Sequence, residues 1–99
     1  MNVIELEGGA DRAHQTFDIT LKEKLLSFFI NWNTTNEYWS IDIFDGDTNI
    51  IYGMALMPNC EISKPYNADI GGSLFFVGEQ PTLENLGQSN YLIWVEDDA

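Results

Sequence analysis

Basic residues are scarce in this chain: Arg12, Lys22, Lys24 and Lys64 stand against sixteen acids, for a formal charge of −12 over 99 residues. From residue 25 onward eleven acids face one base. A surface of that sign repels phosphate backbones and anionic membranes, which argues against nucleic acid and lipid as partners. Cysteine is reduced to Cys60, which rules out an internal disulfide and fits a reducing compartment. Histidine is reduced to His14. One His and one Cys cannot make a zinc site, and nothing in the sequence ties His14 to Cys60 or to a serine as base and nucleophile. Long apolar runs are missing too. The longest, Leu25 to Ile30, is interrupted by Ser27 and is far too short to cross a bilayer. The start, Met-Asn-Val-Ile-Glu-Leu-Glu, is acidic and lacks the apolar segment of a secretory signal. The expectation is a soluble protein made in the cytoplasm.

What is present suits a small β domain. Apolar content is 44% and aromatic content 13%, enough to fold without disulfides or metal, and the length predicts one domain over residues 1–99. Residues 2–6 read as a short strand, and Gly8-Gly9 breaks it. Thr16 to Lys22 alternates strictly, with Phe17, Ile19 and Leu21 inward. After a polar turn at 22–24, Leu26, Phe28, Ile30 and Trp32 form one face of a second strand that ends in Asn33-Thr34-Thr35-Asn36. Tyr38 to Met57 is the strongest hairpin signal. Trp39, Ile41 and Ile43 share one face of its first arm, and Asp45-Gly46-Asp47-Thr48-Asn49 is its tip. Its second arm, apolar on both faces with Ile50, Tyr52, Met54 and Leu56 together, is expected to be central in its sheet. Residues 59–72 read as a long connection, Leu74–Val77 and Tyr91–Val95 as short strands, and the acidic end after Val95 as solvated. The fold class is mainly β, an antiparallel meander closed as a barrel-like or sandwich domain. One short helical turn is expected near residues 82–86, with Thr82 as N-cap and Gly87 closing it.

Chemistry-bearing patterns fail position by position. Asp45-x-Asp47-x-Asn49 matches the first half of an EF-hand loop, but Ile50 stands where the loop needs Gly and Leu56 where it needs Glu. The reading that fits is a hairpin turn, which Asp, Gly and Asn favour. Gly8-Gly9 and Gly71-Gly72 lack the lysine and helix of a phosphate loop. No carboxylate spacing singles out an acid/base pair. The aromatic residues lack the neighbouring cations of a base-stacking surface and read as core. The sequence therefore points away from an enzyme, and toward no metal, no cofactor and no small-molecule substrate.

Loops with turn residues and an apolar member are the candidate contact points. These are His14 and Gln15, the 62–70 connection with Ile62 and Tyr66, and the 81–87 turn with Pro81, Leu83 and Leu86. The acidic tip at Asp45 and Asp47 is a further candidate. Acidity at this level fits bland solubility, a basic protein partner, or mimicry of nucleic acid.

The order of these signals resembles the small baseplate plug proteins of contractile phage tails, known from a cyanophage baseplate. The resemblance runs from His14-Gln15-Thr16-Phe17-Asp18-Ile19-Thr20-Leu21, through Ile30-Asn31-Trp32-Asn33 and Trp39-Ser40-Ile41-Asp42-Ile43, to Asp45-Gly46-Asp47 with Gly53 and Leu56. It closes with Ile70-Gly71-Gly72-Ser73-Leu74-Phe75, then Pro81 with Asn85-Leu86-Gly87, then Leu92-x-Trp94-Val95. Asn59-Cys60-Glu61-Ile62-Ser63 and the histidine before Gln15 depart from the family pattern. The resemblance implies a structural virion component made in the host cytoplasm. It would sit in several copies at the junction of tail tube, hub and spike and hold the tail tip closed before infection. The competing reading is an acidic DNA-mimic inhibitor of a nucleic-acid-binding protein.

Overall fold

A computed structural model of the chain describes residues 2–21, 23–63 and 71–96. Eight strands run in chain order: β1 Asn2–Ile4, β2 His14–Leu21, β3 Lys24–Asn33, β4 Tyr38–Asp45, β5 Thr48–Ala55, β6 Cys60–Glu61, β7 Gly72–Gly78 and β8 Asn90–Glu96. They form two antiparallel sheets, β2-β3-β4-β5 and β1-β8-β7-β6. Both sheets contribute to one apolar core, which makes the architecture a β-sandwich.

The first sheet is the expected four-strand meander. Phe17, Phe28 and Ile43 lie in one register row, as do Gln15, Ile30 and Ile41. Leu26, Phe28 and Ile30 of β3 and Trp39, Ile41 and Ile43 of β4 are fully buried, with Trp32 half-buried at the end of its row, because period-two alternation puts every second residue on the core face. Phe17 stacks on Phe28 with ring centroids 5.3 Å apart, and Trp32 meets Trp39 edge-on at 5.5 Å. Short loops follow the turn chemistry. Asn33 accepts the Asn36 N–H at 3.0 Å, and Gly46 takes φ 61° at the first central position of the β4–β5 hairpin, as a two-residue type II′ turn requires.

β5 departs from the expectation. It is an edge strand, not a central one, and the central pair is β3 and β4. Its register against β4 slips twice, between the Ile41 and Ile43 rows and again between Ile43 and Phe44. Extra residues in β5 reverse which side chains face inward. Ile51 is buried opposite Ile43, while Tyr52 is 78% exposed. Gly53 supplies the bend with φ 65°, and its N–H is held by Asp42 Oδ1 at 2.6 Å. Bulges of this kind twist an edge away from further pairing.

The second sheet gathers the chain's two ends. β1 pairs with β8, with Val3 opposite Ile93, and β7 pairs with β8 along its whole length. Leu74, Phe76, Leu92 and Trp94 point into the core with Ile4. The expected connection over 59–72 starts with a strand: Cys60 and Glu61 pair with β7, and Ile62 N–H bonds the Leu74 carbonyl at 2.9 Å. Buried Ser63 accepts the Leu74 N–H at 3.0 Å and donates to Glu61 Oε2 at 3.1 Å. The remainder of that connection, residues 64–70, lies outside the described residues.

The expected helix near 82–86 is replaced by consecutive turns over residues 83–88. Its cap is present: Thr82 Oγ accepts the Asn85 N–H at 3.2 Å, and Asn85 Oδ1 accepts the Thr82 N–H at 2.7 Å. Propagation fails because Gly87 takes φ 82° and its N–H goes to Asn90 Oδ1 at 2.8 Å. Among the described residues the one helical element is a 3₁₀ turn at Ala10–Arg12, just after the Gly8-Gly9 break.

Candidate partner-binding surfaces

Of the nine residues picked out by the sequence, eight lie among the described residues, and they do not share one surface. His14 opens β2, exposed, with Nδ1 2.7 Å from Asn31 Oδ1 on the neighbouring strand. Asp45 and Asp47 flank Gly46 at the tip of the β4–β5 hairpin, both exposed. His14 shares a register row with Asn31 and Ser40, so five residues of β4, about 17 Å of strand, separate it from the acidic tip. These two candidates occupy opposite ends of the same sheet.

Three candidates are core residues. Ile62 and Leu86 belong to the buried cluster, and Pro81 is also buried. Ile62 continues the edge of the second sheet, its N–H on the Leu74 carbonyl, while Pro81 and Leu86 lie in the β7–β8 loop that Trp39 holds against the core. This removes them from any contact surface in this conformation and gives them the domain-closing role instead. Leu83 remains half-buried against the core. Tyr66 lies outside the described residues.

Gln15 is occupied internally. Its Oε1 accepts the Glu7 N–H at 3.2 Å, and its Nε2 donates to the Glu7 carbonyl and, at 2.9 Å, to the Arg12 carbonyl. One side-chain amide thus replaces a strand partner for the segment between β1 and β2. An exposed Arg12–Glu7 ion pair at 2.8 Å reinforces the same bend. Exposure on both sides keeps that pair's contribution small.

The loop over 79–90 is knit by two asparagines. Asn85 Nδ2 donates to the Gln80 carbonyl at 3.1 Å, while buried Asn90 donates to the Glu79 carbonyl at 3.3 Å and to Asn85 Oδ1 at 3.2 Å. The loop is anchored to both ends of the fold. Trp39 Nε1 donates to the Thr82 carbonyl at 2.9 Å, and Gly9 N–H bonds the Leu83 carbonyl. A cleft of about 490 Å³ opens between Trp32, Thr34 and Glu37 on one side and Pro81–Glu84 on the other. A second, of about 500 Å³, lies between Leu6–Arg12 and Leu86 with Gln88.

Neither cleft gathers a reactive set. Among the described residues no group of three or more His, Cys, Asp or Glu is placed to hold a metal ion. Cys60 is exposed at the edge of its sheet. Asn49, third in the calcium-like run, spends its amide on the Ile51 carbonyl at 3.1 Å. No helix among the described residues is long and apolar enough to cross a membrane.

One surface was not anticipated from the sequence. On the outer side of the second sheet the register places Val3, Ile93 and Phe75 in one row across β1, β8 and β7. Val95 lies beyond it on one side and the Val77–Tyr91 pair on the other. Val3 is 56%, Tyr91 47% and Val95 38% exposed. The sequence signal was available: Tyr91-Leu-Ile-Trp-Val95 and Leu74-Phe-Phe-Val77 are apolar without alternation.

Two four-stranded antiparallel sheets around one apolar core, with a β7–β8 loop tied by side-chain hydrogen bonds, define a small β-sandwich. The chain belongs to the family described as the cyanophage baseplate Pam3 plug gp18, whose model matches residues 1–97. It is therefore a structural component of a phage tail baseplate, and its interactions are with other tail proteins. No curated protein matches the chain.

Proposed function

We propose that the chain is the plug of its baseplate. It sits at the junction of tail tube, hub and spike, in several copies around the tail axis, and holds the tail tip closed until infection. The observation that carries this reading is the family match over residues 1–97. The physical character of the molecule supports it. The β7–β8 loop is tied to the core by side-chain hydrogen bonds, and a small β domain of this kind can fill a ring interface. Its formal charge of −12 favours docking on basic faces, with register set by charge. His14, Asp45 and Asp47 remain exposed and open to such contacts, and Leu83 lies beside the 490 Å³ cleft. The chain is made in the host cytoplasm and reaches the virion by assembly.

Deleting the gene and imaging the particles tests the proposal. Reconstruction of the tail tip should show density for this chain at the tube–hub junction in the parent phage. The deletion should give tips that lack it and leak their contents. Intact, full particles from the deletion would remove the closing role, and antibody labelling that found none of the chain in the parent virion would remove the location.

A further inference from the structure

The two outer surfaces of the sandwich differ in kind. On the β2-β3-β4-β5 sheet polar side chains interrupt every row: His14, Asn31 and Ser40 share one, Thr16, Phe29 and Asp42 the next, Asp18, Ser27 and Phe44 the next. Ser27 even donates to Asp18 across the strands at 2.7 Å, as on an ordinary wet face. On the β1-β8-β7-β6 sheet the outward positions are Val3, Phe75, Val77, Tyr91, Ile93 and Val95, with Ser73 the polar exception within β7 and β8. Strands apolar on both faces belong to sheets covered on both faces. Here one face of β7 and β8 meets the core, and the other leaves Tyr91 and Val95 exposed and Phe75, Val77 and Ile93 half-buried.

We propose that this outer face is the chain's main docking surface, and that it takes a neighbouring baseplate protein whose contact face is apolar at its centre and carries Lys or Arg around it. The inference rests on the baseplate reading above and names the surface and the partner chemistry within it. Charge selects the partner. Acids flank the apolar rows: Glu5 just past Val3, Glu61 beside Phe75 on β6 and Glu79 past Val77. β1, β6, β7 and β8 carry no lysine or arginine. An apolar patch with a polar rim is the anatomy of a protein interface, and the rim's sign discriminates between partners more than it adds affinity. A second copy of this chain, docked face to face, would set these carboxylates against their own kind. A basic rim pairs with them.

Two variants made in the phage itself test this. Val3→Thr/Tyr91→Thr/Val95→Thr keeps strand-forming residues while removing the apolar surface. Glu5→Lys/Glu79→Lys reverses part of the rim at exposed positions that the core does not need. The chain content of purified particles is then measured by quantitative mass spectrometry, alongside unfolding and sedimentation of each purified protein. The expected result is an unfolding midpoint close to the parent's for both and a fall in incorporation of about tenfold or more. Tenfold corresponds to about 1.4 kcal/mol of docking free energy, within what truncating a few side chains at the centre of an interface removes. Particles that hold both variants at the parent's level overturn the docking face, provided the parent is present. A parent protein absent from its own particles overturns the baseplate reading instead. A parent that sediments as a dimer and a triple variant that sediments as a monomer would give the face to a second copy and overturn the basic partner. A triple variant that loses its cooperative unfolding would show the face covered by the chain itself, and overturn the proposal, if the rim variant also incorporates normally.

Discussion

Trp39 Nε1 donates to the main-chain carbonyl of Thr82 at 2.9 Å, across 43 positions of sequence. Trp39 is fully buried and belongs to the meander of the first sheet, while Thr82 lies within the loop that joins β7 to β8. This one bond therefore ties the two sheets together at the end of the sandwich. It also satisfies the indole N–H, which a buried tryptophan otherwise leaves stranded.

Trp39→Phe should separate that role from simple volume. The volume removed is smaller than in an alanine variant, but the Thr82 carbonyl loses its donor and a void opens beside Trp32. Together these predict a loss of about 2–4 kcal/mol, from one unsatisfied polar group plus a partial cavity. Equilibrium unfolding in denaturant reads it directly. A loss under about 1 kcal/mol would mean that water reaches Thr82 and the bond carries little.

Gln15 and His14 are neighbours with opposite expected outcomes. Gln15→Ala removes three side-chain hydrogen bonds to the segment between β1 and β2, so about 1–3 kcal/mol of stability should go. Hydrogen exchange at the Glu7 amide should speed up with it. His14→Ala removes one exposed hydrogen bond to Asn31 and should stay within about 0.5 kcal/mol of the parent. Equal effects in the two variants would show that the Gln15 bridge does not hold the segment.

The same pair shows where the fold could be read in the sequence and where it could not. β2, β3 and the first half of β4 were legible because one face meets water and the other the core, with no irregularity to disturb the period of two. Phe17, Phe28 and Ile41 follow directly from that alternation. β5 misled because a bulge leaves the string of residues looking regular. Gly53 inserts a bend held by Asp42, eleven positions away, and the inward set changes parity across it. The burial of three loop candidates was hidden for a related reason. Ile62, Pro81 and Leu86 sit among turn residues, and only distant partners, Leu74 for Ile62 and Trp39 for the loop of Pro81 and Leu86, show that these segments pack against the core. The apolar outer face of β7 and β8 was written in the sequence, yet its exposure depends on what packs against the sheet, which local pattern does not say.

Asn90 is buried and uses both ends of its amide: Oδ1 for the Gly87 N–H, Nδ2 for Glu79 and Asn85. Asn90→Ala leaves these groups without partners and should cost about 2–4 kcal/mol. Asn90→Asp keeps the acceptor but faces two acceptor oxygens with a carboxyl. Only the neutral acid can donate there, so the introduced carboxyl should have a folded pKa above its unfolded value of about 3.9. Stability contributed by the neutral form is present below the unfolded pKa and is lost as pH rises through the folded one. The variant's deficit against the parent should therefore be smaller at about pH 4 than at about pH 7. A deficit that is the same at both, by thermal unfolding, would show the carboxyl reaching solvent.

Gly87 and Gly46 both hold positive φ, 82° and 61°, but only one is hemmed in. A Cβ at Gly46 meets nothing within 4 Å, whereas a Cβ at Gly87 would fall on the carbonyl oxygen of Leu6, well inside van der Waals contact. Gly46→Ala should therefore cost only the left-handed backbone term, about 1–2 kcal/mol. Gly87→Ala carries the same term and must also push the segment after β1 away from the β7–β8 loop, raising the cost to at least about 3 kcal/mol. Displacing Leu6 weakens the neighbouring bond from Gly9 to Leu83 as well, so faster hydrogen exchange at the Gly9 amide should accompany Gly87→Ala and be absent from Gly46→Ala. Equal unfolding midpoints for the two variants would mean that the N-terminal segment yields freely, and that its packing against Gly87 does not help close the sandwich.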